Sequence, residues 1–323
     1  MRRLLAAVLV PLAGLVLLGA ASLGDAKIDS KLISYERARG VSGSVKSIGS
    51  DTLNNVMAQW AALFQTWYPN VKIEIEGKGS KTAPPALMQG QAQFGPMSRP
   101  MKPDELEIFK KTFGYEPTVL RAGIDCVAVY VHKDAPIESL TLEQLRMIFS
   151  IDGPELRWGD VGVDHPDYRD RLISVYGRNS ASGTYDFFKQ YALAGSDFKP
   201  TVKEQPGSSA VVQAIAKDRF GIGYSGVGYR TADVKFVAVG RSEGDAVLPT
   251  YENALSGEFP LARFLYVYIN YDARRPLDRL RAEFIRMMFS REGQEAVLKE
   301  GYYPVPAKIA RDELTRLGLK PKF

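Results

Sequence analysis

Five short stretches are rich in glycine, serine, threonine or arginine: Gly49-Ser50-Asp51-Thr52, Gly77-Lys78-Gly79-Ser80, Ser98-Arg99, Arg178 with Ser180-Ala181-Ser182-Gly183-Thr184, and Gly207-Ser208-Ser209. Serine and threonine offer hydroxyl donors, and glycine lets a ligand approach the backbone. Where such a turn opens a helix, about four backbone N–H groups lack intrahelical partners and the terminus carries about half a positive charge. Arg178 adds a full charge and a forked donor suited to a tetrahedral oxyanion. It stands four residues before Ser182, so one strand–turn–helix can gather guanidinium, hydroxyls and amides around one ligand. Helix capping accounts for any one of these turns alone. As a set, at the carboxyl ends of strands, they point to an anion site.

The flanking residues supply the elements that position these turns. Residues 45–48 read as a first strand. Leu53, Val56, Met57, Trp60, Leu63, Phe64 and Trp67 then recur at helical spacing, closed by Pro69. Residues 71–75 alternate as a strand, Pro84-Pro85 suits a helix start, and 94–97 form a short strand. Pro103-Asp104-Glu105 opens a further helix, and residues 119–122 and 126–131 read as two extended segments. Thr141 and Gln144 resemble a capping box. Beyond it lie strands at 173–176, 221–224, 236–239 and 264–269, with helices at 185–193, from Ser208, at 277–289 and at 294–298. This alternation predicts α/β layers with largely parallel sheets. Residues 25–43 read as a loose N-terminal arm.

Other chemistries have little to work with. Lys plus Arg is 42 and Asp plus Glu 37, with no dense basic run, which argues against nucleic acid as a partner. The single cysteine, Cys126, excludes an intramolecular disulfide and a cysteine-based metal cluster, so no metal or cofactor is expected. His132 and His165, the only histidines, sit in polar or strand-end settings and leave a serine or phosphate-ester hydrolase without an evident base. Gly221-Ile222-Gly223-Tyr224-Ser225-Gly226 fits a dinucleotide fingerprint in letters only, since it follows a helix and lies within a strand. Trp158 reads as a loop pin, and Trp60 and Trp67 as core. At the start, Arg2-Arg3, an apolar run over 4–18 and Gly19-Ala20-Ala21 form a secretory signal peptide, assigned to residues 1–21. No cysteine lies near the cleavage region, so an exported, periplasmic protein without a lipid anchor is expected.

With these residues in view, the chain resembles the phosphate-binding proteins of ABC phosphate importers. The matching stretches, in order, are Gly49-Ser50-Asp51-Thr52, Gly79-Ser80, Phe94-Gly95-Pro96-Met97-Ser98-Arg99-Pro100-Met101, Leu140-Thr141 through Ile148-Phe149-Ser150, Tyr176-Gly177-Arg178, Ser182-Gly183-Thr184-Tyr185 with Phe187-Phe188, and Gly207-Ser208-Ser209-Ala210-Val211-Val212 through Gly223-Tyr224-Ser225-Gly226. The resemblance implies a type II periplasmic binding protein: two α/β lobes, a ligand cleft between them and a two-strand hinge. Lobe I would span 42–127 and 263–323 and lobe II 128–262, after an arm at 22–41, with crossings near residues 128–130 and 263–266. It further implies a non-enzymatic, monomeric receptor that hands inorganic phosphate to an ABC permease.

Carried over by position, the phosphate ligands would be Ser50, Thr52, Ser80, Ser98, Arg178, Ser182, Gly183 and Thr184. Some relatives place an aspartate where Ser98 stands, to accept the proton of bound phosphate. Asp125, before an apolar strand, is the expected substitute and Asp51 the reserve. Arg99 would either touch the ligand or brace its turn through a carboxylate, and Ser208 is a further candidate. A fixed carboxylate accepts a proton from phosphate but repels fully deprotonated sulfate. The alternatives are a receptor for sulfate, molybdate or tungstate, or a secreted phosphatase-like enzyme.

Overall fold

A computed structural model describes residues 26–319. The assigned signal peptide lies outside the described residues. In chain order the elements are β1 (Ser44–Ile48), α1 (Asn54–Trp67), β2 (Lys72–Glu76), α2 (Ala83–Met88), β3 (Gly95–Met97), α3 (Pro103–Phe113), β4 (Thr118–His132), β5 (Ser139–Thr141) and α4 (Leu142–Phe149). Next come β6 (Ser174–Arg178), α5 (Gly183–Tyr191), β7 (Lys203–Gln205), α6 (Ser208–Lys217), β8 (Gly221–Gly226) and β9 (Val234–Gly240). The chain closes with α7 (Tyr251–Ser256), β10 (Ala262–Ile269), α8 (Arg279–Met288), α9 (Arg291–Lys299) and α10 (Ala307–Arg316). None of the described helices is long and apolar enough to cross a membrane.

Local sequence accounts for most of these elements. The α1 stripe buries Val56, Met57, Trp60 and Phe64, and the Trp60 indole donates to Gly293 O at 2.8 Å. Both capping-box bonds form at α4: Thr141 Oγ1 accepts from Gln144 N, and Gln144 Oε1 accepts from Thr141 N. Gly114, left-handed at φ 78°, ends α3, where a side chain would be strained.

The central strand departs from the sequence reading. Residues 118–132 form one fifteen-residue strand, β4, rather than two segments. It is nearly all buried, as a strand covered on both faces must be. Its first part pairs antiparallel with β10, from Thr118↔Ile269 to Cys126↔Ala262. From Val127 onward it pairs with β8, and from Val129 also with β9, again antiparallel. The exchange of partners falls between Cys126 and Val127, just before the crossing expected from sequence.

Among the described residues, parallel pairing joins β1–β2, β5–β9, β6–β7 and β6–β8, with one further parallel bridge at Ser47↔Phe94. The expectation of largely parallel sheets is therefore corrected to a mixed sheet with an antiparallel centre. The reason is topological: the chain leaves one half of the molecule along β4 and returns to it along β10, in the opposite direction.

The N-terminal arm is not loose. Leu32 is fully buried, Arg291 N donates to Ile33 O, and Tyr35 OH contacts Glu283 and Tyr68 OH. Asp29 caps α10 by accepting from Ala307 N at 2.9 Å. That helix went unread in the sequence; it buries Ala307, Ala310, Leu314 and the charged Glu313, which pairs with Arg121.

Candidate functional site

The glycine- and serine-rich turns meet in one buried cluster between the two halves of the molecule. Those after β1, β2 and β3 are laced together: Gly49 N donates to Glu76 O, Ser50 N to Pro96 O at 2.7 Å and Gly79 N to Gly49 O at 2.8 Å. A Cβ on Gly49 would stand 2.1 Å from Pro96 O, so this crossing requires glycine. Ser98 N donates to Ser80 Oγ at 3.0 Å, and the two hydroxyls lie 3.2 Å apart.

Against this cluster sits the start of α5. Thr184 Oγ1 lies 3.0 Å from Thr52 Oγ1, and Lys81 N donates to Ala181 O. A Cβ on Gly183 would fall 2.3 Å from Ser80 Oγ and 2.8 Å from Ser98 Oγ. Ser208 N, opening α6, donates to Asp51 Oδ2 at 2.8 Å. Ser50, Thr52, Ser80, Ser98, Arg178, Ser182, Thr184 and Ser208 are all buried.

The hydroxyls are polarised in one sense. Ser182 Oγ caps α5 by accepting from Thr184 N and Tyr185 N. Ser80 Oγ accepts from Ser98 N, Thr184 Oγ1 from Arg263 and Ser208 Oγ from Arg178. Protein donors occupy one lone pair of each, and both of Ser182, so each hydroxyl keeps a proton to donate, either within the pairs Ser80–Ser98 and Thr52–Thr184 or to a ligand. Gly183, first in its helix, likewise has an N–H with no intrahelical acceptor. A crevice lined by donors suits an acceptor-rich ligand, an oxyanion.

Arg178 ends β6 and is enclosed. Nη1 donates to Ser208 Oγ at 2.5 Å, and Nη2 lies 3.1 Å from Asp51 Oδ2. Among the described residues, its buried Nε has no hydrogen-bond partner. Burial lowers the pKa of this guanidinium, and Asp51 opposes that shift. An unpartnered buried donor on a desolvated cation is costly unless something accepts from it.

Each of the two aspartates is engaged by an arginine, Asp51 by Arg178 and Asp125 by Arg263. Asp125 does not hold a free carboxylate toward the crevice: Oδ2 accepts from Arg263 Nε at 3.0 Å and Nη2 at 2.7 Å, and Oδ1 from Val227 N at 3.0 Å. Burial raises its pKa, and Arg263 opposes that rise. In Asp51, Oδ2 takes both Arg178 and Ser208 N, while Oδ1 carries neither bond, and a quarter of the side chain is exposed.

Arg99 takes the bracing role, with paired 2.7 Å bonds to Glu105 and one of 2.8 Å to Asp186. Sequence reasoning missed Arg263 as a site residue. Its signal was a lone arginine opening the apolar run 264–269, visible as an anomaly only once Asp125 is known to face it. The dinucleotide-like glycines lie inside β8, packed against β6, and Trp158 is buried with its indole donating to Phe220 O.

Two α/β halves joined through β4 and β10, with a donor-lined crevice between them, define a type II periplasmic binding protein. A family model described as "PBP superfamily domain" matches residues 36–292. The chain is 48% identical, over 99% of both sequences, to "Phosphate-binding protein PstS" of Pseudomonas aeruginosa. It superposes with a TM-score of 0.70 and 28% identity on a "Putative Phosphate ABC Transporter Substrate-Binding Protein with Bound Phosphate" from Clostridium perfringens, covering 81% of this chain and all of that one. An "ABC-type phosphate transport receptor" from Vibrio cholerae shares the fold at TM-score 0.64 and 21% identity, over 81% of this chain and all of the other. The chain belongs to the phosphate-binding protein family within this superfamily.

Proposed function

We propose that this protein captures inorganic phosphate in the crevice and delivers it to an ABC permease, without performing chemistry on it. The observation that carries this reading is the buried, unpartnered Arg178 Nε among hydroxyls polarised to donate. Ser50, Thr52, Ser80 and Ser98 would hold the anion from one lobe, and Arg178, Ser182, Thr184 and the Gly183 N–H from the other. Charge-assisted hydrogen bonds contribute roughly 1.5–3 kcal/mol each. A handful, less desolvation and ordering, reaches micromolar affinity at about −8 kcal/mol or tighter.

Asp51 would accept the phosphate proton; its Oδ2 engages Arg178 and Ser208 N, while Oδ1 takes neither of those bonds. Binding contacts from both lobes favour the closed form over an open one, with the hinge where β4 changes partners and β10 begins. The permease would read the closed shape. The mature, monomeric protein would act in the periplasm after loss of residues 1–21.

Calorimetric titration with phosphate, sulfate and molybdate tests the reading. The expected result is one phosphate per chain with micromolar or tighter affinity, and much weaker sulfate. A preference for sulfate or molybdate at neutral pH would overturn it.

A further inference from the structure

Arg263 opens β10 directly opposite Asp125, in the last full stretch of the ladder before β4 changes partners. Its side chain is 2% exposed. Three separate parts of the molecule accept from it. Nε and Nη2 donate to Asp125 Oδ2, Nη1 donates to Ser98 O at 2.7 Å, and Nη2 also donates to Thr184 Oγ1 at 2.8 Å. The guanidinium carbon lies 5.1 Å from the centre of the Phe187 ring, on the same helix as Thr184. Asp125 in turn accepts from Val227 N just beyond β8, so the pair is anchored from both sides of the crossing.

The consequence falls on the Thr184 hydroxyl. It has one proton and two lone pairs. One lone pair is committed to Arg263, and the Thr52 hydroxyl, 3.0 Å away, can donate to the other, which leaves the Thr184 proton for the ligand. A hydroxyl held this way by a cation is strengthened as a donor, because aligned hydrogen bonds polarise one another. Arg263 also grips the Ser98 carbonyl, whose turn shares hydrogen bonds with Ser80. One planar fork thus sets the donors of one lobe against those of the other, which the point charge of a lysine is not shaped to do.

We propose that Arg263 is a positioning residue of this site: it orients the Thr184 hydroxyl as a dedicated donor to the captured oxyanion and couples that donor to the seating of the Ser98 turn. This rests on the reading that the crevice holds phosphate. Arg263 acts through Thr184 and Ser98 and need not itself touch the ligand.

The test is calorimetric titration with inorganic phosphate of the parent, Arg263→Lys, Thr184→Val and the double variant. Each single variant is expected to bind at least about tenfold more weakly, a decade being about 1.4 kcal/mol. In the Thr184→Val background, Arg263→Lys should cost no more than about threefold, since sites that act as a unit are not additive. A purely structural arginine would give the same loss in both backgrounds, and that result overturns the proposal. So does parent-like affinity of Arg263→Lys.

If Arg263→Lys does not fold, Asp125→Asn/Arg263→Gln removes both buried charges together, leaving neither ion unpaired. This variant, folded by circular dichroism, is expected to lose at least about tenfold in phosphate affinity; unchanged affinity overturns the proposal. A parent that takes up no phosphate removes the underlying reading and the proposal with it. A parent that binds while the variants match it removes the proposal alone.

Discussion

Replacing Arg178 with alanine removes the cation on which the crevice is built. The side chain is 1% exposed and bound to Ser208 Oγ and Asp51, and its Nε has no hydrogen-bond partner among the described residues. Two losses combine in the variant. The anion loses one or two charge-assisted bonds, at roughly 1.5–3 kcal/mol each. Asp51 loses its countercharge and is left facing an anion, and breaking a buried ionic contact on one side costs roughly 3–5 kcal/mol. The two overlap, so the expected loss in binding is about 3–5 kcal/mol, between two and four decades in Kd at 1.4 kcal/mol per decade.

Calorimetry reads the affinity, and thermal unfolding with and without phosphate gives an independent measure. Ligand at a hundred times Kd stabilises the folded state by about 2.7 kcal/mol, so a phosphate-dependent rise in Tm should be large in the parent and absent in the variant at equal concentration. Arg178→Lys should fall between them, since it keeps the charge and loses the fork. A folded Arg178→Ala protein that binds phosphate within about threefold of the parent, well under the loss expected for a buried countercharge, would refute this account.

Three further outcomes are expected. Gly183→Ala should fold normally, since alanine suits the first turn of a helix, yet bind phosphate at least about tenfold more weakly by titration, because its Cβ would stand 2.3 Å from Ser80 Oγ. Asp51→Asn should reduce the phosphate-to-sulfate affinity ratio, measured by competition, more than it weakens sulfate itself; Asp125→Asn should instead lower the thermal stability, by leaving Arg263 as a buried cation without its countercharge. The backbone N–H groups of Lys31 and Ala307 bond the Asp29 carboxylate and hold it below the ordinary aspartate range. A lowered carboxylate pKa adds stability above the ordinary pKa and loses it as pH falls through the lowered one. The Tm difference between parent and Asp29→Ala should therefore be present at pH 7 and shrink below about pH 4.

What the sequence disclosed was set by how local the cause is. The α1 stripe, the Thr141–Gln144 box and the helix starts at Pro103 and Ser208 depend on neighbours within a few residues, and they are read from the chain directly. The turn residues of the crevice were visible for the same reason: hydroxyls and glycine at the start of a helix are a short-range pattern. The direction of strand pairing was not, because whether β10 runs with or against β4 depends on a return path of more than a hundred residues.

Asp125 and Arg263 failed to appear as a pair for this reason. Separated by 138 positions, each looks like an isolated charge beside an apolar run. The docked arm and α10 hide in a similar way: the burial of Leu32 and Glu313 is created by contacts with distant elements, while the surrounding residues are mostly polar. Arg99 was ambiguous until Glu105 and Asp186 were seen to enclose it.

The most direct test of the central claim is a crystal structure of the mature protein grown with phosphate. One phosphate is expected between the turns, with an oxygen within about 3 Å of Arg178 Nε and others reached by hydroxyls and N–H groups from both lobes. A phosphate bound elsewhere, with Arg178 still engaging only Asp51 and Ser208, would contradict it.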